Sequence, residues 1–422
     1  MSVRFTQMEP DNASPVALAT QNLVRQKALS ETAPTSTPLT PSENKMTVVV
    51  ARTVDELKPH LDAWKKLAAT VIEPNAFYES WMLVPAIEVL GKETDLYVVL
   101  IYATDPLHPF GEKILCGLFP LERLRNYKIF PLATFRFWKS LHGFLCTPLI
   151  HTEFAHRCLA TFFDWLKSPA APAKLMEFYS VAGDGLFYRL LIDELNNRGC
   201  LTFSSDSYNR AMFKPHTSEP SVVEGISGRH KKELRRKLNR LAEEGAVEFV
   251  ALEFEDEVDA WIQEFLTLEA MGWKGQEGTA FAADVEQKRF FEKVVKNAFA
   301  NGRLMMLALR LGGKAIAMKC NFLSGRGSFA FKIAFDEHYS RFSPGVLLEM
   351  ENMRRLEAMP EREWMDSCAV AEHFMINRLW TSRRNITTLL VSTGKGSADL
   401  LVSTLPLLRW LSRKLKGIKK RS

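Results

Sequence analysis

Patterns that would commit this chain to a metal, a disulfide or a membrane span are scarce. Its 422 residues include six cysteines, at 116, 146, 158, 200, 320 and 368, with no CxxC pair. That argues against zinc ribbons and thioredoxin-type redox sites, and predicts unpaired thiols in a reducing compartment. The nine histidines form no HxH or HxxxH pair, and His151 and His156 are spaced too widely for one helix face. No metal site is expected. No apolar run is long enough to span a bilayer. The first residues lack the apolar stretch of a secretory signal. The net charge is only +6, which does not by itself demand nucleic acid. No short-period repeat is visible, which excludes a solenoid.

What the chain does hold is apolar material, 46% of it, enough for two or three domains with real cores. Residues 1–45 differ: they are rich in Ser, Thr, Pro and Ala, cannot bury enough surface to fold alone, and are expected to form a disordered arm dispensable for chemistry. Val16 to Leu29 could form at most a transient helix. From Met46 on, hydrophobic periodicity predicts the same order twice: strand, helix, helix, strands, helix, strand, helix, strand; the aromatic stretch from Tyr127 to His151 is poorly periodic, and the last helix and strand are expected at about Ala371 to Thr381 and at Ile386 to Val391. The expectation is an α/β (α+β) protein of two related domains, 46–214 and 228–400, each a mixed, mostly antiparallel sheet flanked by helices. Pro215, Pro220 and Gly225 mark residues 215–227 as a linker. Residues 401–422 form a basic tail.

The densest signal lies between Gly302 and Glu357. Three apolar runs, Arg303 to Leu311, Lys314 to Ser324 and Ser328 to Asp336, are separated by Gly312-Gly313 and Gly325-Arg326-Gly327. Paired glycines between such runs predict hairpins, because tight turns need positive φ. The period then changes to that of a helix opening with Ser343-Pro344-Gly345. Ser343 is placed to cap it and Pro344 suits its first position. Such a start presents free amides and a positive dipole end to an anion. Upstream, GRHKKELRRKLNRLAEE predicts a strongly basic helix over 228–244. It is suited to phosphates, RNA, an anionic surface, or simply water. The final LLRWLSRKLKGIKKRS is amphipathic enough to lie on anionic lipid, or to pack on the domain with a frayed basic end.

Meander, phosphate-facing helix, short strand, helix and strand together resemble the GNAT acyltransferases. More narrowly, RHKKELRRKLNRLAEEG, GWKGQEGTAF, IAFDEHYSRFSPGVLLEMENMR and FYESWMLVPA resemble a double-domain subfamily associated with cellulose and exopolysaccharide biosynthesis. The resemblance spans about residues 46–400. It implies acetyl-CoA or another acyl-CoA as co-substrate, no metal, and transfer to an amine on a sugar or envelope precursor. It also implies that Arg341-Phe342-Ser343-Pro344-Gly345-Val346 stands where that family binds pyrophosphate. Arg341, Ser343, Gly345 and Val346 would hold the phosphates. Pro344 replaces the family's first glycine and Val346 its last small residue, and proline removes one amide donor.

The amides of Lys332, Ile333 and Ala334 would polarise the thioester carbonyl. Asp366 would act as base and Tyr339 as acid for the thiolate, with Glu372 and His373 as lesser candidates. Trp273 and Lys274 would meet the acceptor. Asp366 could equally be a turn cap, Tyr339 a packing residue, and Lys319 and Lys332 solvated strand lysines. The expected partners are a small-molecule or glycan amine and an anionic membrane surface. No DNA is expected, and tRNA ranks lower. The expected location is cytoplasmic, or peripheral to the membrane's inner face. Two rivals stand beside this reading: an aminoacyl-tRNA-dependent transferase of the Fem type, and a non-catalytic scaffold in polysaccharide assembly.

Overall fold

The computed structural model describes residues 46–104, 113–215, 228–394 and 396–419. The expected arm 1–45 and nearly all of the expected linker lie outside the described residues. The first half carries β1 (Thr47–Ala51), helices α1 (Leu61–Ala69) and α2 (Ser80–Leu90), and β2 (Leu96–Thr104). It continues with β3 (Lys113–Leu124), β4 (Thr134–Phe137), β5 (Leu149–Ile150), α3 (Ala155–Lys167), β6 (Leu175–Ala182), α4 (Leu186–Asn197) and β7 (Thr202–Phe213). The second half carries α5 (Gly228–Ala242), β8 (Val247–Ala251), α6 (Val258–Met271), α7 (Val285–Ala300), β9 (Leu304–Leu311), β10 (Lys314–Ser324) and β11 (Gly327–Phe335). It ends with α8 (Pro344–Glu357), β12 (Trp364–Asp366), β13 (Ser382–Ser392) and α9 (Ser397–Lys419).

One sheet runs through both halves in the order β1-β2-β3-β4-β6-β13-β7-β12-β11-β10-β9-β8, with β5 paired to β3. Each half contributes four strands in antiparallel sequence and then a fifth in parallel: β4 beside β6, and β11 beside β12. The sixth strand comes from the other half. β7 lies against β12, and β13 lies between β6 and β7, antiparallel to both. The last strands of the two halves are thus exchanged.

The meander forms as its glycines dictate. Gly312 and Gly313 both take positive φ, 56° and 84°, in the β9–β10 turn. At the start of β11, a Cβ on Gly327 would sit 2.3 Å from ring carbons of Trp364, so only glycine lets β12 pair there. Strand alternation then sorts the two faces. Met318, Cys320 and Phe322 join the core beneath α6 and α7, together with Phe265, Phe290 and Phe291. Leu307, Leu309 and Ile316 pack under α8 on the opposite face, against Leu348, Met353 and Leu356. The same alternation carries Lys319 and Asn321 to the α8 face.

Three local expectations change. The aromatic, poorly periodic stretch from Tyr127 to His151 contains β4 and β5. The helix expected over 371–381 shrinks to Ile376–Leu379. Strand β13 begins at Ser382, four residues before the expected Ile386.

Candidate active site

The parallel pair β11/β12 is only three residues long, Gly327–Phe329 against Trp364–Asp366. Beyond it the strands part. The opening is a cavity of about 530 Å³ bounded by β11 from Ala330 to Phe335, the end of α6, the second turn of α8, and the segment Ser367 to Ile376. Opposite this opening, β10 and β11 shift register between Cys320 and Asn321, leaving Phe331 as an extra residue. Such bulges recur beside active sites because they turn backbone groups out of the ladder.

The first half has the same three-residue parallel contact, Thr134–Arg136 against Leu175–Glu177. There the gap is filled. The Cys146 amide donates to the Ser180 carbonyl (3.0 Å), and the Thr147 hydroxyl accepts from the Ala182 amide (3.2 Å). Cys146 and Thr147 are fully buried. The irregular stretch that resisted a sequence assignment is the plug.

The cavity in the second half is largely apolar, with Leu268, Phe331, Phe335, Phe374 and Ile376 in its walls. A buried ion pair interrupts them: Lys319 Nζ donates to Glu349 Oε2 at 2.7 Å. Asn352 Nδ2 donates to Glu349 Oε1 (2.8 Å), and Asn321 Nδ2 donates to Asn352 Oδ1 (3.0 Å). Lys319 is therefore no solvated strand lysine. Lys332 also borders the cavity, its ammonium 4.9 Å from the centre of the Phe281 ring. His373 lines the opposite wall, where burial lowers its pKa and favours the neutral ring. Its Nδ1 accepts from the Ile376 amide at 3.4 Å.

Of the residues singled out from sequence, Lys332, Ile333 and Ala334 line this cavity together. Asp366 does not. It is completely buried, its Oδ2 accepting from Arg210 Nη2 (2.6 Å) and Arg384 Nη1 (3.0 Å), and its Oδ1 from the Cys368 amide (2.9 Å). Burial alone would raise its pKa. The charges of Arg210 and Arg384 outweigh that and hold the carboxyl below its ordinary value. A carboxylate shared by two guanidiniums is a poor base, so this expectation is corrected: Asp366 anchors β12 to β7 and β13. Tyr339 packs half-buried against the α8 core and does not border this cavity. Of Trp273 and Lys274, only the backbone is among the described residues, in a short helix after α6.

The start of α8 also departs from expectation. Ser343 takes a left-handed conformation (φ 57°, ψ 53°) and makes no side-chain cap. Its carbonyl accepts from the Val346 and Leu347 amides (3.0 and 3.1 Å), which closes two of the donors expected to face an anion. Pro344 has none to offer, so Gly345 supplies the remaining early amide. A Cβ on Gly345 would meet only ordinary contacts with Phe335 and Ile333, at 3.5 and 3.7 Å. The Ser343 hydroxyl accepts instead from Lys237 Nζ on α5 (2.8 Å). Arg341 pairs with Glu244, just past the end of α5, rather than standing free for a phosphate. Position 237 carried one of several cations in the basic helix. Its seating at this corner depends on how α5 packs, which no local pattern encodes.

Residues 228–374 match the family described as Acetyltransferase (GNAT) domain. Among solved structures, the chain is similar to FemX at 10% identity and a TM-score of 0.52, over 78% of this chain and 95% of that one. It is also similar to a conserved protein of unknown function from Bacteroides thetaiotaomicron, at 10% identity and a TM-score of 0.50, over 79% and 97% of the two chains. No curated protein matches. The fold is GNAT-like in two lobes, and the family match over the second half supports an acyltransferase. Among the described residues, no group of three or more His, Cys, Asp or Glu could hold a metal ion. No described helix is long and apolar enough to cross a membrane.

Proposed function

We propose that this protein transfers an acyl group from acyl-CoA to an amine on a sugar or envelope precursor, in the cleft of its second half. The observation that carries the reading is the contrast between the two lobes. The gap beside β6 is plugged by Cys146 and Thr147, whereas the gap beside β11 is open and lined by ionisable groups.

In this reading the amine nitrogen attacks the thioester carbonyl, the C–S bond breaks, and the thiolate takes up a proton. The bulged β11 backbone from Phe331 to Ala334 faces the position where negative charge develops. His373, neutral near pH 7, receives the proton lost by the amine. Lys332, at the cavity edge, suits an anionic group on either substrate. Lys237, seated at the start of α8, favours the CoA-phosphate reading of the basic helix over its rivals. Acyl-CoA is a cytoplasmic donor, so the reading places the reaction there. The sequence resemblance to the exopolysaccharide subfamily supports a glycan amine as acceptor.

Titration of the full chain with CoA and acetyl-CoA tests this. Saturable binding is expected, roughly ten- to a hundredfold weaker in Lys237→Ala, since a charge-assisted contact is worth about 1.5–3 kcal/mol. Binding should be lost in Gly345→Asp, which sets a negative charge at the helix start. No binding of either compound, or the same affinity in both variants, would remove CoA as the donor.

A further inference from the structure

Helix α9 has two apolar sides. The inner one, with Ala398, Leu401, Val402 and Leu405, is buried against Tyr127, Leu175 and Leu390. The outer one is bare: Leu400 is 67% exposed, Leu407 57%, Trp410 49% and Leu411 42%. Positions 400, 407 and 411 follow helical spacing, and Leu415 and Ile418 continue it in the sequence. Past Leu405, no described residue of the helix is buried, although Arg409 Nη1 still donates to the Ser204 carbonyl (2.9 Å). Ile129, 88% exposed, sits on the turn between Tyr127 and Phe130, both of which pack into the same cluster as Leu405.

The charge of this segment selects the occupant. After Asp399 there is no acidic residue, and Arg409, Arg413, Lys414, Lys416, Lys419, Lys420 and Arg421 follow. A second copy of the chain on this face would bring two such cationic stretches together, whereas an anionic bilayer neutralises them. We infer that the outer face of α9, from Leu400 to the basic end, lies in the headgroup region of an anionic membrane, with Trp410 at the interface. Apolar burial and lipid charge would act together there. This holds the enzyme at a lipid surface through one face of a helix. It does not depend on which donor the cleft uses.

Co-sedimentation of the full chain with vesicles decides it. Binding is expected to vesicles of mixed phosphatidylcholine and phosphatidylglycerol, not to phosphatidylcholine alone, and should weaken as salt rises. Leu407→Glu with Leu411→Glu should weaken it by roughly tenfold or more, through lost apolar burial and added negative charge. Trp410→Ser should weaken it less. All three positions are exposed, so the melting temperatures of the variants should match the parent. No sedimentation with anionic vesicles, equal binding to both vesicle types, or indifference to the double substitution would overturn the inference. So would self-association by light scattering that the double substitution abolishes while vesicle binding is absent, because that makes the face a contact between copies.

Discussion

At Asp366, burial and charge pull in opposite directions, and charge wins. Replacing it with asparagine strands Arg210 and Arg384 in the interior, which costs about 3–5 kcal/mol. Urea unfolding of Asp366→Asn should show that loss; an unchanged midpoint together with lost turnover would restore the residue as a base. The pH dependence follows in sign. The folded-state pKa lies below the unfolded one, so the stabilisation is present above about pH 4, the unfolded carboxylate range, and fades as pH falls through the folded value. Asparagine should flatten that acid limb. His373 gives the matching kinetic test. Its pKa is depressed below 6.5, so transfer should rise with pH along a limb centred below that value. His373→Asn should remove the limb and lower kcat by about 10²–10⁴. Only part of this was legible locally: His373 stood among the lesser candidates, and the turn-cap alternative for Asp366 holds, its Oδ1 accepting from the Cys368 amide, but its ion pairs did not show. Asp366 reads as an ordinary strand-end acid because its arginine partners lie 156 and 18 positions away.

Elements were easier to read than their joints. The meander and α8 follow from paired glycines and a change of period, both local signals. The cap of α8 did not follow, because Ser-Pro-Gly is compatible with more than one entry geometry. Here Ser343 turns left-handed and its hydroxyl accepts from Lys237. Ser343→Gly separates the two consequences. It relieves a backbone cost of about 1–2 kcal/mol and removes the hydroxyl that Lys237 holds. Calorimetry should show a higher melting temperature, and CoA titration a weaker affinity; a drop in both would mean the hydroxyl contact outweighs the strain. The helix expected from about Ala371 starts only at Ile376, and the stretch before it, from Ser367, is irregular. It walls the cavity, and Cys368 within it has φ 54°.

At the scale of the molecule, the matching element order of the two halves was legible, but their shared sheet was not. Pairing of β13 with β6 and β7 joins segments some 200 positions apart in one case and 180 in the other, as the Ser180–Thr388 and Thr387–Asp206 contacts illustrate, at separations of 208 and 181. Periodicity places a strand but says nothing of its neighbours. With their last strands exchanged, neither half is complete alone. Unfolding should therefore be one transition, with circular dichroism and tryptophan fluorescence tracing the same curve in urea. Two separated transitions would show that the lobes stand independently.

The position of β13 also fixes a timetable. The ribosome delivers β6 and β7 with a vacant lane between them, and the strand that fills it comes only after β8 to β12. Between the making of β7 and that of β13 the nascent chain carries two long unpaired edges, the kind that recruit strands from other chains. Its yield in a cell should thus depend on whatever shields those edges until residue 392 is free.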